Sequence, residues 1–185
     1  GQLATIYNLM GKQDKAMETF SGVYNQNNWD EVNSESKANF FNNFGELYRA
    51  KKEYHKALEL YFAAQKETKN VYSQAVFISN IANCYDRLDS LELAKQYAFN
   101  SLSLARSIEL ESLYPWIYYS IASVHNKEGR IDSAIYYSKN GLQIANTTHV
   151  LEDLRNLNQE IAKAFVKKGN FEQAYKYYEQ YIVYR

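Results

Sequence analysis

Only a few side chains in this sequence have the type and spacing that catalysis or metal binding would need. His149, Glu152 and Asp153 stand at i, i+3 and i+4, which on a helix places three metal ligands on one face. One histidine with two carboxylates at this spacing often arises by chance, and the other two histidines lie far away. The single cysteine, Cys84, has no histidine near it in the sequence, so we expect a structural thiol rather than a nucleophile. The sequence therefore predicts no catalytic residues, no metal site and no cofactor, and hence no enzyme.

The composition of the chain argues against two classes of partner. Lys and Arg together number 21, as do Asp and Glu, so the formal net charge of the 185 residues is zero. Nucleic-acid binding without sequence preference needs a concentrated basic surface, which this balance disfavours. No run of about 18 apolar residues occurs, so we expect no membrane span within these residues. Hydrophobic residues make up 46% of the chain and include 18 tyrosines, which is enough for a continuous core.

Five alanines recur along the chain, each within the same local sequence pattern. They are separated by 41, 37, 40 and 40 residues and are Ala16, Ala57, Ala94, Ala134 and Ala174. A ring side chain stands nine residues before each of them: Tyr7, Tyr48, Tyr85, His125 and Phe165. A small residue stands twelve residues before each: Ala4, Gly45, Ala82, Ala122 and Ala162. Self-similarity at such a period is typical of stacked supersecondary units.

Each repeat unit is predicted to hold two helices. Hydrophobic periodicity predicts second helices near 13–25, 54–68, 91–107, 131–146 and 171–184, with first helices in the stretches between them. Repeat four shows the signals best, because Pro115 fits the first turn of a helix and Gly129 fits the left-handed residue after its end. His125 takes the ring position of that repeat, so we expect it in the core. The polar stretch 25–30 is the predicted connector between repeats one and two.

The order small–x–x–Tyr–x–x–x–Gly–x–x–x–x–Ala–x–x–x–aromatic resembles the tetratricopeptide repeat. The best matches are Ala4-Tyr7-Gly11-Ala16-Phe20, Gly45-Tyr48-Ala57-Tyr61 and Ala162-Phe165-Gly169-Ala174-Tyr178. The resemblance implies an all-α fold, a right-handed α-solenoid of about five helix-turn-helix repeats. We place these at approximately 1–25, 31–68, 70–107, 110–146 and 148–185, in a single array over 1–185 that we expect to be a piece of a longer protein. The period exceeds the usual ~34 residues, so the first helices should be longer by one or two turns.

The long period is similar to that of repeat arrays in bacterial regulators, both cytoplasmic peptide-sensing proteins and extracytoplasmic sensor portions of membrane-anchored ones. This resemblance implies a non-catalytic scaffold that binds a protein or peptide segment, as the sensory or interaction part of a signal-transduction protein. The Tyr- and Asn-rich texture of segments such as 169–179 favours the periplasmic group over the cytoplasmic one. The compartment, the oligomeric state and a membrane anchor elsewhere in the whole protein are left open by the sequence.

In the family that this chain resembles, the first helices of successive repeats line a concave groove that holds the ligand. The groove stripe is offset from the core stripe and is rich in amides and mixed charges. Its candidate residues are Asn42, Glu46, Arg49, Ser79, Asn83, Asp86, Arg87, Trp116, Tyr119, Ser123, Asn126, Lys127, Gln159 and Lys163. Amides can bond both the N–H and the C=O of a peptide, and Trp116 with Tyr119 would supply an apolar anchor. Changing this ring pair to alanine should weaken partner binding without unfolding the array.

The groove stripe also has other interpretations. A row of polar residues can simply be a solvated helix face. Tyrosine and tryptophan faces flanked by amides also suit a glycan, and related helical repeats bind single-stranded RNA, although the neutral charge argues against RNA. Some relatives grip a C-terminal carboxylate with a clamp of lysines and asparagines. Here Asn83 fits such a clamp but Ser79 stands where its lysine would be, so we predict no chaperone-tail binding.

Overall fold

The computed structural model describes residues 2–26 and 28–185, so Gly1 in predicted repeat one and Asn27 in the predicted connector lie outside the described residues. Ten α-helices and two short 3-10 turns account for most of this part of the chain. The first helices are α1 (Gln2–Leu9), α3 (Ser34–Ala50), α5 (Val71–Arg87), α7 (Tyr114–Lys127) and α9 (Leu151–Lys167). The second helices are α2 (Gln13–Gln26), α4 (Tyr54–Glu67), α6 (Leu91–Ser107), α8 (Ile131–Thr148) and α10 (Phe171–Val183). The 3-10 turns are Trp29–Glu31 and Glu111–Leu113.

The helices form sequential antiparallel pairs that stack into an all-α solenoid. Each first helix packs on the second helix of its own repeat, and α4, α6 and α8 pack in turn on α5, α7 and α9. The predicted positions of the second helices are confirmed to within a few residues. Pro115 lies in the first turn of α7, as predicted.

The repeated alanines are the joints between paired helices. Ala16, Ala57 and Ala134 are fully buried, and Ala94 and Ala174 are at most 5% exposed. Their methyl groups let the two helices of a pair come close together. The small position in the first helix has the same role, which is clearest at Gly45. A Cβ atom there would lie 2.8 Å from the Tyr61 ring, too close for any side chain.

The repeated ring side chains pack against the second helix of their own repeat. Tyr85 stacks on Tyr97 with ring centroids 5.4 Å apart, and Phe165 stacks on Tyr177 at 5.7 Å. His125 stacks on Tyr137 at 5.5 Å with nearly parallel rings, so the predicted core position of this histidine is confirmed. Burial lowers the pKa of His125, which keeps the imidazole neutral at pH 7.

All five turns inside the repeats use a residue in the left-handed conformation. Gly11, Gly129 and Gly169 have φ angles of 71°, 77° and 76°. The two repeats that lack this glycine keep the same backbone, because Lys52 and Asp89 have φ angles of 63° and 56°. Left-handed geometry costs a residue with a Cβ atom roughly 1–2 kcal/mol, so these two turns are strained.

We expect Lys52→Gly to raise the free energy of unfolding by about 1 kcal/mol, because it removes that strain at an exposed position. Urea denaturation followed by circular dichroism would measure the change. Gly129→Ala is the reciprocal variant and should lower stability by a similar amount, since a Cβ atom there meets nothing within 4 Å and only the φ angle is affected. A loss of stability in Lys52→Gly would show that the left-handed turn is not strained.

Repeat five leaves an apolar face of α10 exposed. Tyr178 is 51% exposed, whereas the equivalent residues of the other repeats, Phe20, Tyr61, Ala98 and Ser138, are fully buried. In those repeats the following first helix covers the position. Phe171 and Tyr175 extend the same face.

Candidate binding groove on the first helices

The first helices contact one another directly across the repeats. The Asn80 amide of α5 donates to Asn42 Oδ1 of α3 at 3.1 Å. On α7, the Ser123 hydroxyl donates to Asp86 Oδ2 of α5 at 2.9 Å. The Asn126 amide of α7 donates to Glu160 Oε2 of α9 at 2.8 Å. These bonds join α3, α5, α7 and α9 into one continuous surface, which we call the first-helix surface.

All predicted groove residues lie on this surface, but at different depths. Arg87, Lys127 and Lys163 are exposed, and Asn42, Glu46, Arg49, Trp116 and Gln159 are half-buried. The others are at most 6% exposed: Ser79, Asn83, Asp86, Tyr119, Ser123 and Asn126. These six predicted groove residues are therefore nearly closed to solvent in the unliganded chain. Ser123 and Asn126 bond to neighbouring repeats instead of facing solvent, and the Ser79 hydroxyl donates to the Val76 carbonyl of its own helix.

Asp86 is the most deeply buried charge of the surface, with no exposed area. Its Oδ1 lies 3.1 Å from the Lys127 ammonium, and Ser123 donates to its Oδ2. Lys127 also reaches Asp89 at 2.7 Å, near the solvent. Burial raises the pKa of Asp86, while Lys127 and Ser123 oppose that rise. The aspartate therefore depends on Lys127 for its charge balance.

Two lysines 40 residues apart bond to the ends of the preceding first helices. Lys127 donates to the carbonyl oxygen of Asp86 near the end of α5, and Lys167 donates to that of Asn126 near the end of α7. A helix C-terminus carries partial negative charge and unpaired carbonyls, so an ammonium group there is stabilising. The spacing equals the repeat period, which is the sequence signal for this contact.

Two residues that matter for the surface were missed by the sequence reasoning. Glu160 is 2% exposed and is held by Asn126 and, at 2.7 Å, by Lys163. Arg155 faces the groove one turn earlier on α9. Both lie on the groove side of α9, close to the predicted Gln159. They were missed because the prediction used the same distances from the repeated alanine in every repeat, and neither residue stands at one of those distances.

Trp116 of α7 meets a residue from two repeats earlier. The guanidinium carbon of Arg49 on α3 lies 5.2 Å from the centre of its ring, within range of a cation–π contact. Arg49 is also paired with Glu46 at 2.6 Å. On the other side, the Trp116 ring lies 5.4 Å from that of Tyr119. The solenoid therefore curves tightly enough to bring α3 and α7 together across α5.

This curvature encloses a cavity of about 360 Å³ on the first-helix surface. We call it the central pocket and define it by Arg49, Asn83, Arg87, Trp116, Glu152 and Arg155. A neighbouring cavity of about 270 Å³ shares Arg49, Trp116 and Glu152 with it and extends to Asn42 and Ser79. Four repeats contribute to the combined space, so a ligand there would contact α3, α5, α7 and α9 together.

The structure also places the residues that the sequence singled out for chemistry. Cys84 is fully buried, and burial raises the pKa of its thiol to about 12, so it is a poor nucleophile. His149 ends α8 in the left-handed conformation. Over residues 2–26 and 28–185, no group of three or more His, Cys, Asp or Glu is arranged to hold a metal ion. None of the described helices is long and apolar enough to cross a membrane.

Comparison with known proteins agrees with the pattern of helix pairs. Residues 156–182, which cover most of α9 and α10, match the tetratricopeptide repeat (TPR) family. The chain as a whole has a TPR-like solenoid fold. The match falls on one of the three repeats that follow the family order best, the one with Phe165, Gly169 and Ala174.

The chain is also similar to two phosphatases of Bacillus subtilis and to a third protein with the same fold. Response regulator aspartate phosphatase E of Bacillus subtilis (strain 168) is 28% identical over 104 residues, which is 56% of this chain. The chain spans about a quarter of that relative, 27% of its length. Aspartyl phosphate phosphatase F from Bacillus subtilis has the same fold, with a TM-score of 0.71 at 16% identity over 100% of this chain and 58% of that one. BtubC (BKLC) from P. vanneervenii superimposes with a TM-score of 0.73 at 17% identity, over 99% of this chain and 77% of the other.

Proposed function

We propose that this TPR array is a non-catalytic scaffold that binds a protein or peptide segment on its first-helix surface. The observation that carries the proposal is the central pocket, where side chains from four repeats surround a half-buried tryptophan. An extended peptide lying along the surface would cross several first helices in turn. Trp116 would then be its main apolar contact, since tryptophan is prominent among residues that dominate binding energy.

We further propose that the array is the sensory or interaction part of a bacterial regulatory protein. The similarity to response regulator aspartate phosphatase E of Bacillus subtilis supports this role, because its name places it with response regulators. The non-catalytic part of the proposal is supported by the buried thiol of Cys84 and by the absence of a three-ligand metal group among the described residues. Release of phosphate from a phosphorylated response-regulator receiver domain by this chain would contradict it.

Peptides selected from a random display library should bind the wild-type chain, and Trp116→Ala should weaken them by about 30-fold, which is the loss of a 2 kcal/mol contact. Fluorescence anisotropy with the selected, labelled peptides would measure the affinities. Tyr136→Ala is the matched control, because Tyr136 is 61% exposed and lies on the second helix α8, away from the pocket.

Equal affinities in the two variants would contradict the groove assignment, provided that both keep the circular dichroism spectrum and melting temperature of folded protein. The ring and amide composition also suggests glycan binding as an alternative. A panel of glycans tested by calorimetry would distinguish that alternative from peptide binding. Saturable glycan binding that is lost in Trp116→Ala, with no selected peptide, would replace the peptide proposal.

A further inference from the structure

A second cavity, of about 340 Å³, lies between the second helices α2 and α4. Ser21 of α2, Leu60 of α4, and Phe44 and Tyr48 of α3 are among the residues that line it. We call it the outer cavity. Among the described residues it shares no lining residue with the central pocket, so a ligand here would not occupy the groove.

In the next repeat the equivalent space is filled by side chains of the chain itself. Tyr97, three residues after the repeated alanine of α6, stacks on Tyr85 with ring centroids 5.4 Å apart. Phe62, five residues after the repeated alanine of α4, meets the Tyr97 ring edge-on at 6.1 Å. Three rings therefore close the groove between α4 and α6.

The two grooves that follow are occupied at the same positions. Tyr137 of α8 stacks on His125 at 5.5 Å, and Phe99 of α6 meets the Tyr137 ring edge-on at 6.0 Å. Between α8 and α10 the corresponding residue is Lys139, whose ammonium nitrogen lies 5.9 Å from the centre of the Phe165 ring. A long side chain five residues after the repeated alanine therefore occupies the groove that precedes each of repeats three, four and five.

Repeat two lacks both of these side chains. Leu60 stands where repeats three to five have a tyrosine, and Ser21 stands where α4 and α6 have a phenylalanine. Tyr48, the ring residue of repeat two, is half-buried and lacks the stacked tyrosine of the later repeats. The outer cavity thus lies where the rest of the array places an aromatic side chain.

The surroundings of the outer cavity also suit a ring. Tyr24 of α2, which is 46% exposed, lines it together with Phe44, and their ring centroids are 5.9 Å apart. The Lys56 ammonium lies 5.2 Å from the centre of the Tyr48 ring, and the exposed Glu59 is a further lining residue. Contacts between rings are more favourable than the area they bury accounts for, so an aromatic side chain fits this cavity better than an aliphatic one.

We propose that the outer cavity binds an aromatic side chain of a partner protein, on the side of the array formed by the second helices. The partner's ring would take the place that Phe62 and Phe99 take in the next two grooves. This inference goes beyond the proposed function, because it gives the scaffold a second binding surface. An array with two separate surfaces can hold two partners at the same time.

A small aromatic amide tests the site directly by nuclear magnetic resonance. N-acetyl-phenylalaninamide should shift the methyl resonances of Leu60 through its ring current, and the shift should saturate. A Leu60→Ile variant with isotope-labelled leucine assigns these resonances. N-acetyl-leucinamide should bind about 5-fold more weakly, which corresponds to ~1 kcal/mol of contact between rings.

Filling the cavity from within should remove this binding. Ser21→Phe supplies the missing ring and should weaken the response of Leu60 by about 10-fold or more, and Ser21→Leu should act in the same direction. Glu18→Phe is the matched control, because it adds a ring at an exposed position of α2 that does not line the cavity. Circular dichroism and the melting temperature show whether each variant is folded.

Emptying the next groove should create a second site. Phe62→Ala removes the ring that meets Tyr97, so the methyl resonances of Leu93, the residue of α6 that corresponds to Lys56 of α4, should begin to respond to N-acetyl-phenylalaninamide. An unresponsive Leu93 in this variant would contradict the comparison of grooves that carries the proposal. Leu60 methyl groups that do not respond in the wild type, or that respond equally in Ser21→Phe, would overturn the outer cavity as a site for a ring.

Peptide selection on the Trp116→Ala chain separates the outer cavity from the groove. Selected peptides should need an aromatic residue, and their affinity should fall by about 10-fold in the double variant Trp116→Ala/Ser21→Phe. Such peptides, together with groove peptides that ignore Trp116→Ala, would support the outer cavity and contradict the proposed function. Peptides that depend on Trp116 alone, with none that depends on position 21, would keep the proposed function and overturn the outer cavity as a protein-binding site.

The source of the ring is tested on the chain alone. Sedimentation of the wild type should show no association that Ser21→Phe abolishes. An association of that kind would show that the ring comes from a second copy of the chain, and it would overturn the assignment to a separate partner.

Discussion

Replacing Lys127 with methionine is expected to lower the free energy of unfolding by about 3–5 kcal/mol at pH 7, because it leaves the Asp86 carboxylate buried without its cation. Asp86 has no exposed area and cannot regain water, while Lys127 is one-third exposed. Methionine keeps most of the side-chain volume and the apolar contacts of the lysine stem. Urea denaturation of the wild type and the variant would measure the loss.

Lys168→Met is the matched control for that loss. Lys168 pairs with Asp132 at 2.6 Å, but both side chains are at least half exposed, and such a pair contributes at most about 1 kcal/mol. Similar losses in the two variants would contradict a dependence of Asp86 on Lys127. Asp86→Asn combined with Lys127→Met should recover much of the stability, because the uncompensated charge is then gone.

The loss in Lys127→Met should also shrink as the pH falls. Burial already raises the pKa of Asp86 above its unfolded value, and removing Lys127 raises it further. A raised carboxyl pKa means that the folded state binds the proton more readily, so the burial penalty is complete above the folded pKa and absent below the unfolded one. The difference in the free energy of unfolding between wild type and this variant should therefore be smaller at pH 4 than at pH 7. A loss that does not change with pH would show that it does not arise from the Asp86 charge.

The helical framework could be predicted from the sequence because local signals repeat in it. The five repeated alanines locate the contacts between paired helices. Pro115 and Gly129 mark helix ends for reasons that do not depend on the rest of the chain. Even the turns without glycine keep the left-handed residue, at Lys52 and Asp89, since the packing of the two helices determines the turn. The position of each residue within its repeat was enough to predict the helices and the turns between them.

The depth of the groove residues could not be predicted in the same way. Ser123 and Asn126 have side chains that suit a solvated face as well as a buried contact, and only the distance between α5, α7 and α9 decides between the two. That distance depends on the angle between successive repeats, which is the sum of many small packing differences. The same angle brings Arg49 to Trp116 from two repeats away, a contact for which no local sequence signal exists.

Tyr119→Ala is expected to destabilise the array by about 3–5 kcal/mol, as truncation of a large buried ring does. Tyr119 was expected beside Trp116 as an accessible anchor, yet only 2% of it is exposed, and it packs with the core residues Leu154 and Leu157 of α9. Its removal would leave a cavity between repeats four and five. Thermal and urea unfolding would show the loss.

Tyr119→Phe separates the ring from its hydroxyl group. It keeps the packing and removes only the bond from Arg87, whose exposed guanidinium can turn to water, so the loss should be about 1 kcal/mol. A ring-pair variant that includes Tyr119→Ala would therefore lose ligand binding through unfolding, which is why Trp116→Ala alone is the informative change in the groove. If Tyr119→Ala instead unfolded like wild type and lost only ligand binding, Tyr119 would be a contact residue of the groove and not part of the core between α7 and α9.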